Sequence, residues 1–167
     1  SSESEAGTPQ GRLSEALLTR GFDTKLPWAE LVKMGDAAYG GSQAEGAYTI
    51  KDAYDALEVA LNKFLMEGVE LSNGSSVDEA LSDLDYLESL INNLPTQTKR
   101  TAEQDEWQQF STPPTISYLM TYAADLVSRD IVAEPSAGTG NIAAMAVSVR
   151  SNLKGLILNE FNDRRAG

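Results

Sequence analysis

The sequence predicts a mostly α-helical chain, with an acidic helical region first and the opening of a parallel, Rossmann-like α/β sheet last. Three observations predict it. Apolar residues recur at helical spacing in two long segments between residues 49 and 94. Beyond residue 110 the order is helix, short strand, glycine-containing loop, helix and second strand, which is the start of an incomplete parallel sheet. The charge balance also changes: residues 1–98 hold 17 Asp+Glu and 6 Lys+Arg, net −11, whereas residues 99–167 hold 8 and 7, net −1.

The chain of 167 residues has room for one ordinary domain or two small ones. It contains no cysteine and no histidine, which excludes disulfides, thiolate chemistry, histidine general bases and the usual zinc sites from these residues. No run of about 18 apolar residues is present, so no membrane span is expected. The opening "SSESEAGTPQG" is polar and acidic, unlike a signal peptide, and without an initiator methionine it reads as a processed or internal end. The net −11 of the first segment repels phosphate backbones and makes it a poor nucleic-acid surface.

Residues 1–11 read as a disordered lead and residues 12–98 as the acidic helical region. In "RLSEALLTRGF", Leu13, Ala16, Leu17 and Arg20 share a helical face and Gly21 stops the helix. In "LPWAELVKMGDAAYGG", Pro27 suits the first helical position and Trp28, Leu31 and Val32 lie on one side; "GGSQAEGAY" is a loop. The segment 49–67 opens with Thr49 as N-cap and Asp52 three residues on. Its stripe is Ile50, Ala53, Tyr54, Leu57, Leu61, Phe64 and Leu65, and Gly68 ends it. The segment 77–94 repeats the logic, with Ser76 and Glu79 as a capping box, a stripe of Leu81, Leu84, Leu87, Leu90, Ile91 and Leu94, and Pro95 forbidding continuation. The two are expected to pack as an antiparallel hairpin, their stripes forming core. Residues 99–107 form a polar connector and the expected boundary before a second domain, 108–167.

In "STPPTISYLMTYAADLVS", Thr112 is the expected N-cap and Pro113 the first helical residue. Ile116, Leu119, Met120, Ala123 and Leu126 or Val127 form the expected buried face. A buried strand over 131–134, a loop over 135–140, a helix from 141 to about 150 and a strand over 156–160 complete the pattern.

The loop carries "GTGNIA", a match to G-x-G-x-x-A, between strand and helix. A tight turn without a ligand accounts for two glycines equally well. The context adds Glu160, 20 positions after Gly140 at the end of the next strand, where a carboxylate suits ribose hydroxyls. An adenosine-containing ligand follows. Glu134, followed by Pro135 and Ser136, opposes a pyrophosphate and suits a ligand with a cationic amino group. S-adenosylmethionine is therefore favoured, with NAD or another nucleotide as the alternative.

"QQFSTPP" (108–114), "EPSAGTGNIA" (134–143) and "NE" (159–160) together resemble adenine-N6 DNA methyltransferases. The upstream stretches "YGGSQAEGAYTIKDAYDALE" and "LPTQTKRTAEQDEWQQFSTPP" resemble large phage and plasmid proteins that join such a methylase to a strawberry-notch-type helicase, as in phage antirestriction proteins. The methylase motifs cover residues 108–160 and the looser likeness residues 39–160. The resemblance implies a Rossmann-like methyltransferase domain with S-adenosylmethionine as cofactor. Phe110, Ser111 and Thr112 would lie at its methionine end, with Glu134, Ser136, Ala137, Gly138 and Gly140 beneath it. Glu160 would hold the ribose and Phe161 would cover one face of the adenine. Each has a plainer role open to it: core for Phe110 and Phe161, a helix cap for Thr112. DNA contact through the remainder of the full-length protein, a C-terminal helicase domain, and a place in the bacterial or infected-cell cytoplasm or the virion are further implications.

The family's catalytic element is Asp or Asn followed by Pro-Pro and an aromatic residue. The one Pro-Pro here, Pro113–Pro114, precedes the loop and follows Ser-Thr, so no catalytic residue is assigned. Two strands are also few for a stable sheet. The chain is thus expected to be the front portion of a longer methyltransferase, inactive alone, with an exposed sheet edge open to self-association. The competing reading is an acidic helical docking module.

Overall fold

The computed structural model describes residues 7–69, 71–72, 76–95 and 112–159. Helices α1 (Pro9–Arg20), α2 (Trp28–Tyr39), α3 (Ile50–Gly68) and α4 (Val77–Asn93) come first. Helix α5 (Pro114–Ala124), strand β1 (Ile131–Glu134), helix α6 (Asn141–Val149) and strand β2 (Gly155–Leu158) follow. The protein is mostly helical with a small two-stranded parallel sheet. Among the described residues no helix is long and apolar enough to cross a membrane. The chain divides into two compact units, Ser1–Leu61 with Asn92–Phe110, and Asn62–Ile91 with Ser111–Gly167. The expected connector, 99–107, lies outside the described residues.

In the first unit, α1 begins inside the stretch expected to be a disordered lead. Thr8 supplies the reason: its hydroxyl accepts from Gly11 N at 3.0 Å, and Pro9 needs no amide partner in the first turn. Gly21 ends α1 as expected. Helices α1 and α2 pack together, and Leu13, Leu17, Phe22, Leu26 and Leu31 are fully buried. Each such side chain contributes roughly 1.5–3 kcal/mol of burial. Arg20 fixes the turn between the helices, pairing with both carboxylate oxygens of Glu30 and donating to the carbonyls of Gly21, Thr24 and Lys25. Residues 92–94 are tied to this turn: Leu26 N donates to Asn93 O, Asn93 Nδ2 to Phe22 O and Lys25 Nζ to Asn92 O.

The Thr49 cap of α3 forms as expected. Asp52 N donates to Thr49 Oγ1, while Asp52 Oδ2 accepts from both the amide and the hydroxyl of Thr49. Ser76 likewise accepts from Glu79 N. In α3 the first stripe residue, Ile50, is exposed, whereas Ala53, Tyr54, Ala56, Leu57, Ala60 and Leu61 are buried. In α4 the buried line runs Ala80, Leu87, Leu90 and continues to Leu94 just past its end; Leu81, expected in it, is exposed.

In the second unit α5 packs on α6, and α6 on β1. Helix α5 presents the face opposite to the expected one. Pro114, Ser117, Tyr118 and Thr121 are buried, while Ile116, Leu119, Met120 and Ala123 are exposed. The buried Tyr118 explains the orientation, because its hydroxyl donates to Asp83 Oδ2 at 2.6 Å, where Ser72 N and Ser72 Oγ also donate. The small Ala143, Ala144 and Ala146 of α6 are buried and permit close helix packing. Strands β1 and β2 pair in parallel, Ile131 opposite Gly155 and Glu134 opposite Leu158. Lys154 N to Asp130 O and Asn159 N to Glu134 O extend the ladder at either end. Strand β1 was expected to be buried, yet Ile131 and Ala133 are exposed, since among the described residues a helix covers only one face.

Two substitutions test this packing. A Cβ at Gly35 would stand 2.7 Å from Tyr48 Oη and 2.8 Å from its Cζ, displacing a ring that donates to Asp36 Oδ1 and stacks on Tyr39. Helix propensity favours Gly35→Ala by about 1 kcal/mol, but overpacking costs about 1–3 kcal/mol; urea denaturation is expected to report a net loss. Burial, aided by the bond to Asp83, pushes the Tyr118 phenol up to about 12. Its contribution is present below the ordinary tyrosine value near 10 and is lost as the pH rises towards about 12. Tyr118→Phe should cost about 1–2 kcal/mol at pH 7, and the gap should narrow when the same denaturation curves are taken near pH 11.

Candidate functional site

Strand β1 ends at Glu134, and residues 135–140 carry the chain into α6. Two glycines in this loop have left-handed backbones, Gly138 at φ 54° and Gly140 at φ 80°. A Cβ at Gly140 would meet no atom within 4 Å, so the backbone angle and not crowding by the protein requires glycine there. The loop turns back on itself through Gly140 N to Ala137 O. It is also sewn to the residue after β2: Ala137 N donates to Asn159 O at 2.8 Å, and Asn159 Nδ2 to Pro135 O at 3.1 Å.

Glu134 is buried, and its Oε2 accepts from Ala143 N at 2.9 Å. The carboxylate thus fills the start of α6, the place a phosphate would take in a dinucleotide site. Burial pushes its pKa above the ordinary glutamate value, opposed by the amides of Ala143 and Ile142. Glu134 braces the loop from beneath, and its charge is partly compensated by helix amides.

A second set of contacts crosses the loop. Asn62, on α3, donates through Nδ2 to Thr139 O at 3.1 Å and to Asn141 Oδ1 at 2.7 Å. Thr139 Oγ1 donates to the same Asn141 oxygen, and Asn141 Nδ2 donates to Thr112 O at 3.1 Å. Thr112 is therefore brought to the loop, but by its carbonyl. It is not the helix cap: Pro113 holds that position without a side-chain bond, and α5 starts at Pro114. The pre-proline residue is biased away from helix, which moves the start one place on.

Of the other expected site residues, Ser136 is exposed, Ala137 is buried, and Gly138 and Gly140 shape the turn. Phe110, Ser111, Glu160 and Phe161 lie outside the described residues. Strand β2 spans Gly155–Leu158, one residue earlier at its start than expected. Asn62 was missed because it sits between Leu61 and Lys63, where a polar residue reads as the solvent side of an amphipathic helix. No group of three or more acidic side chains that could hold a metal ion occurs among the described residues. No family model, no curated protein and no solved structure matches the chain.

Glu134→Gln keeps an acceptor for Ala143 N and removes a buried charge. At pH 7 the variant should melt no lower than the wild type. Because the raised pKa makes proton binding stronger in the folded state, the wild type should gain on the variant as the pH falls through the glutamate range. Thermal melts at pH 7 and pH 4 read this; a variant markedly less stable at pH 7 would show that the charge itself holds the loop.

Proposed function

We propose that the chain is the cofactor-binding front portion of an S-adenosylmethionine-dependent adenine-N6 DNA methyltransferase. The observation that carries this is the Glu134 carboxylate at the start of α6, bonded to Ala143 N. It occupies the helix end on which a pyrophosphate would rest and leaves negative charge beside the loop. A phosphate-free adenosine ligand with a cationic group fits that charge; a dinucleotide does not.

S-adenosylmethionine supplies an electrophilic methyl group on a sulfonium centre. Around it, Gly138 and Gly140 would allow close backbone approach, Glu134 would set the sign of the local field, and Ser136 and Ala137 would form the wall next to Asn159. Thr112, whose carbonyl accepts from Asn141 Nδ2, would lie near the methionine end. Phe110, Ser111, Glu160 and Phe161 retain the roles that the resemblance gives them. DNA would be held by other parts of a larger phage or plasmid methylase–helicase with an antirestriction role. Self-association through the edge of β2 that no described strand covers belongs to the same reading.

Titration calorimetry of the chain with S-adenosylmethionine, S-adenosylhomocysteine and NAD tests the reading. The first two are expected to bind and NAD is not, with binding weakened at least tenfold in Glu160→Ala; binding of NAD alone would sink it. Since no Asp/Asn-Pro-Pro-aromatic element is present, incubation with labelled S-adenosylmethionine and unmethylated DNA should transfer no methyl groups.

A further inference from the structure

Two left-handed glycines flank Thr139, and glycine gives up more backbone freedom on ordering than any other residue. Something outside the loop has to hold Thr139 if the turn is to keep one shape. A contact from α3 does so. Both amide hydrogens of Asn62 are used, one on the Thr139 carbonyl and one on Asn141 Oδ1, so its carboxamide can face only one way. Asn141 passes the constraint on, accepting also from Thr139 Oγ1 and donating to Thr112 O. Asn62 and Asn141 are 8% and 6% exposed, which makes these bonds expensive to leave unmade.

We propose that Asn62 is a positioning residue for the adenosine-binding loop: it holds Thr139 between the two glycines and ties the loop to the segment carrying Thr112. This deepens the proposed function and rests on it. Asn62 touches no reacting group. Its effect on affinity comes from ordering the loop before the ligand arrives, so that binding does not bear the cost of ordering it.

The test compares Asn62→Ala, Asn62→Asp and Tyr118→Phe with the wild type. Tyr118 is a control for lost stability, because its hydroxyl serves Asp83 and not the loop. The readouts are calorimetric affinity for S-adenosylhomocysteine, melting temperature, and amide hydrogen exchange over residues 137–144 in the free protein. Asn62→Ala is expected to bind about tenfold more weakly. Asn62→Asp should be weaker still, since it turns a carboxylate towards two acceptor oxygens. Both should speed exchange in the loop, while Tyr118→Phe lowers the melting temperature and keeps affinity within about twofold. If the wild type binds and Asn62→Ala binds equally well, the positioning role is wrong and the adenosine reading stands. Unchanged loop exchange in Asn62→Ala overturns the role whatever the ligand result. A wild type that binds no adenosine ligand overturns both.

Discussion

One carboxylate ties the end of this small sheet to the helix that follows it. Glu134 is the last residue of β1, and its side chain turns under the loop to meet the Ala143 amide. That contact sets where α6 begins relative to the strand, and so where residues 135–140 must run. Burial of the group works against its charge, as the raised pKa records, and the first-turn amides offset only part of the cost. A protein that needed the contact for stability alone would do as well with a neutral acceptor. Under the proposed reading the charge has a second use: it would repel phosphate and attract a cation at a helix start of the kind that receives a pyrophosphate in dinucleotide-binding folds.

Around this loop the second unit distributes its polar and apolar groups unusually. Helix α5 sends Ser117, Tyr118 and Thr121 inwards and leaves Ile116, Leu119 and Met120 exposed, while Ile131, Leu156, Ile157 and Leu158 are exposed on the strands. Scattered exposed apolar residues are ordinary in folded proteins, but a strand such as β2, apolar from Leu156 to Leu158 and exposed along that length, is not. The inward face of α5 is held by the directional bond from Tyr118 to Asp83, together with close packing on the alanines of α6, while Thr121 Oγ1 is satisfied within the helix by the Ser117 carbonyl. The Tyr118 bond fixes the helix rotation without requiring its apolar stripe to be buried.

How far the sequence is legible depends on the range of the forces involved. Local chemistry was readable: the Thr49–Asp52 and Ser76–Glu79 caps, the stop at Gly21, the loop that opens at Gly40, and the order β1, loop, α6, β2 follow from neighbours within a few residues. The rotation of α5 was not. Ser117, Tyr118 and Thr121 recur at helical spacing as regularly as Ile116, Leu119 and Met120, and the choice between the two faces rests on Asp83, 35 residues away from Tyr118.

The loop glycines and the distant asparagine belong to one physical solution. A turn that must present backbone closely to a ligand uses glycine, and glycine leaves the turn without conformational preference of its own. Bonds to Asn159 restrain the beginning of the loop and Glu134 restrains the helix that follows it. Asn62 restrains Thr139, from a helix 77 residues earlier in the chain. A hydrophobic contact at that point would be indifferent to the direction of the Thr139 carbonyl. A carboxamide is not, because its two N–H groups must both find acceptors once buried. The helical part of the second unit therefore supplies orientation to the loop, and this gives the end of α3 a function that its amphipathic pattern does not reveal.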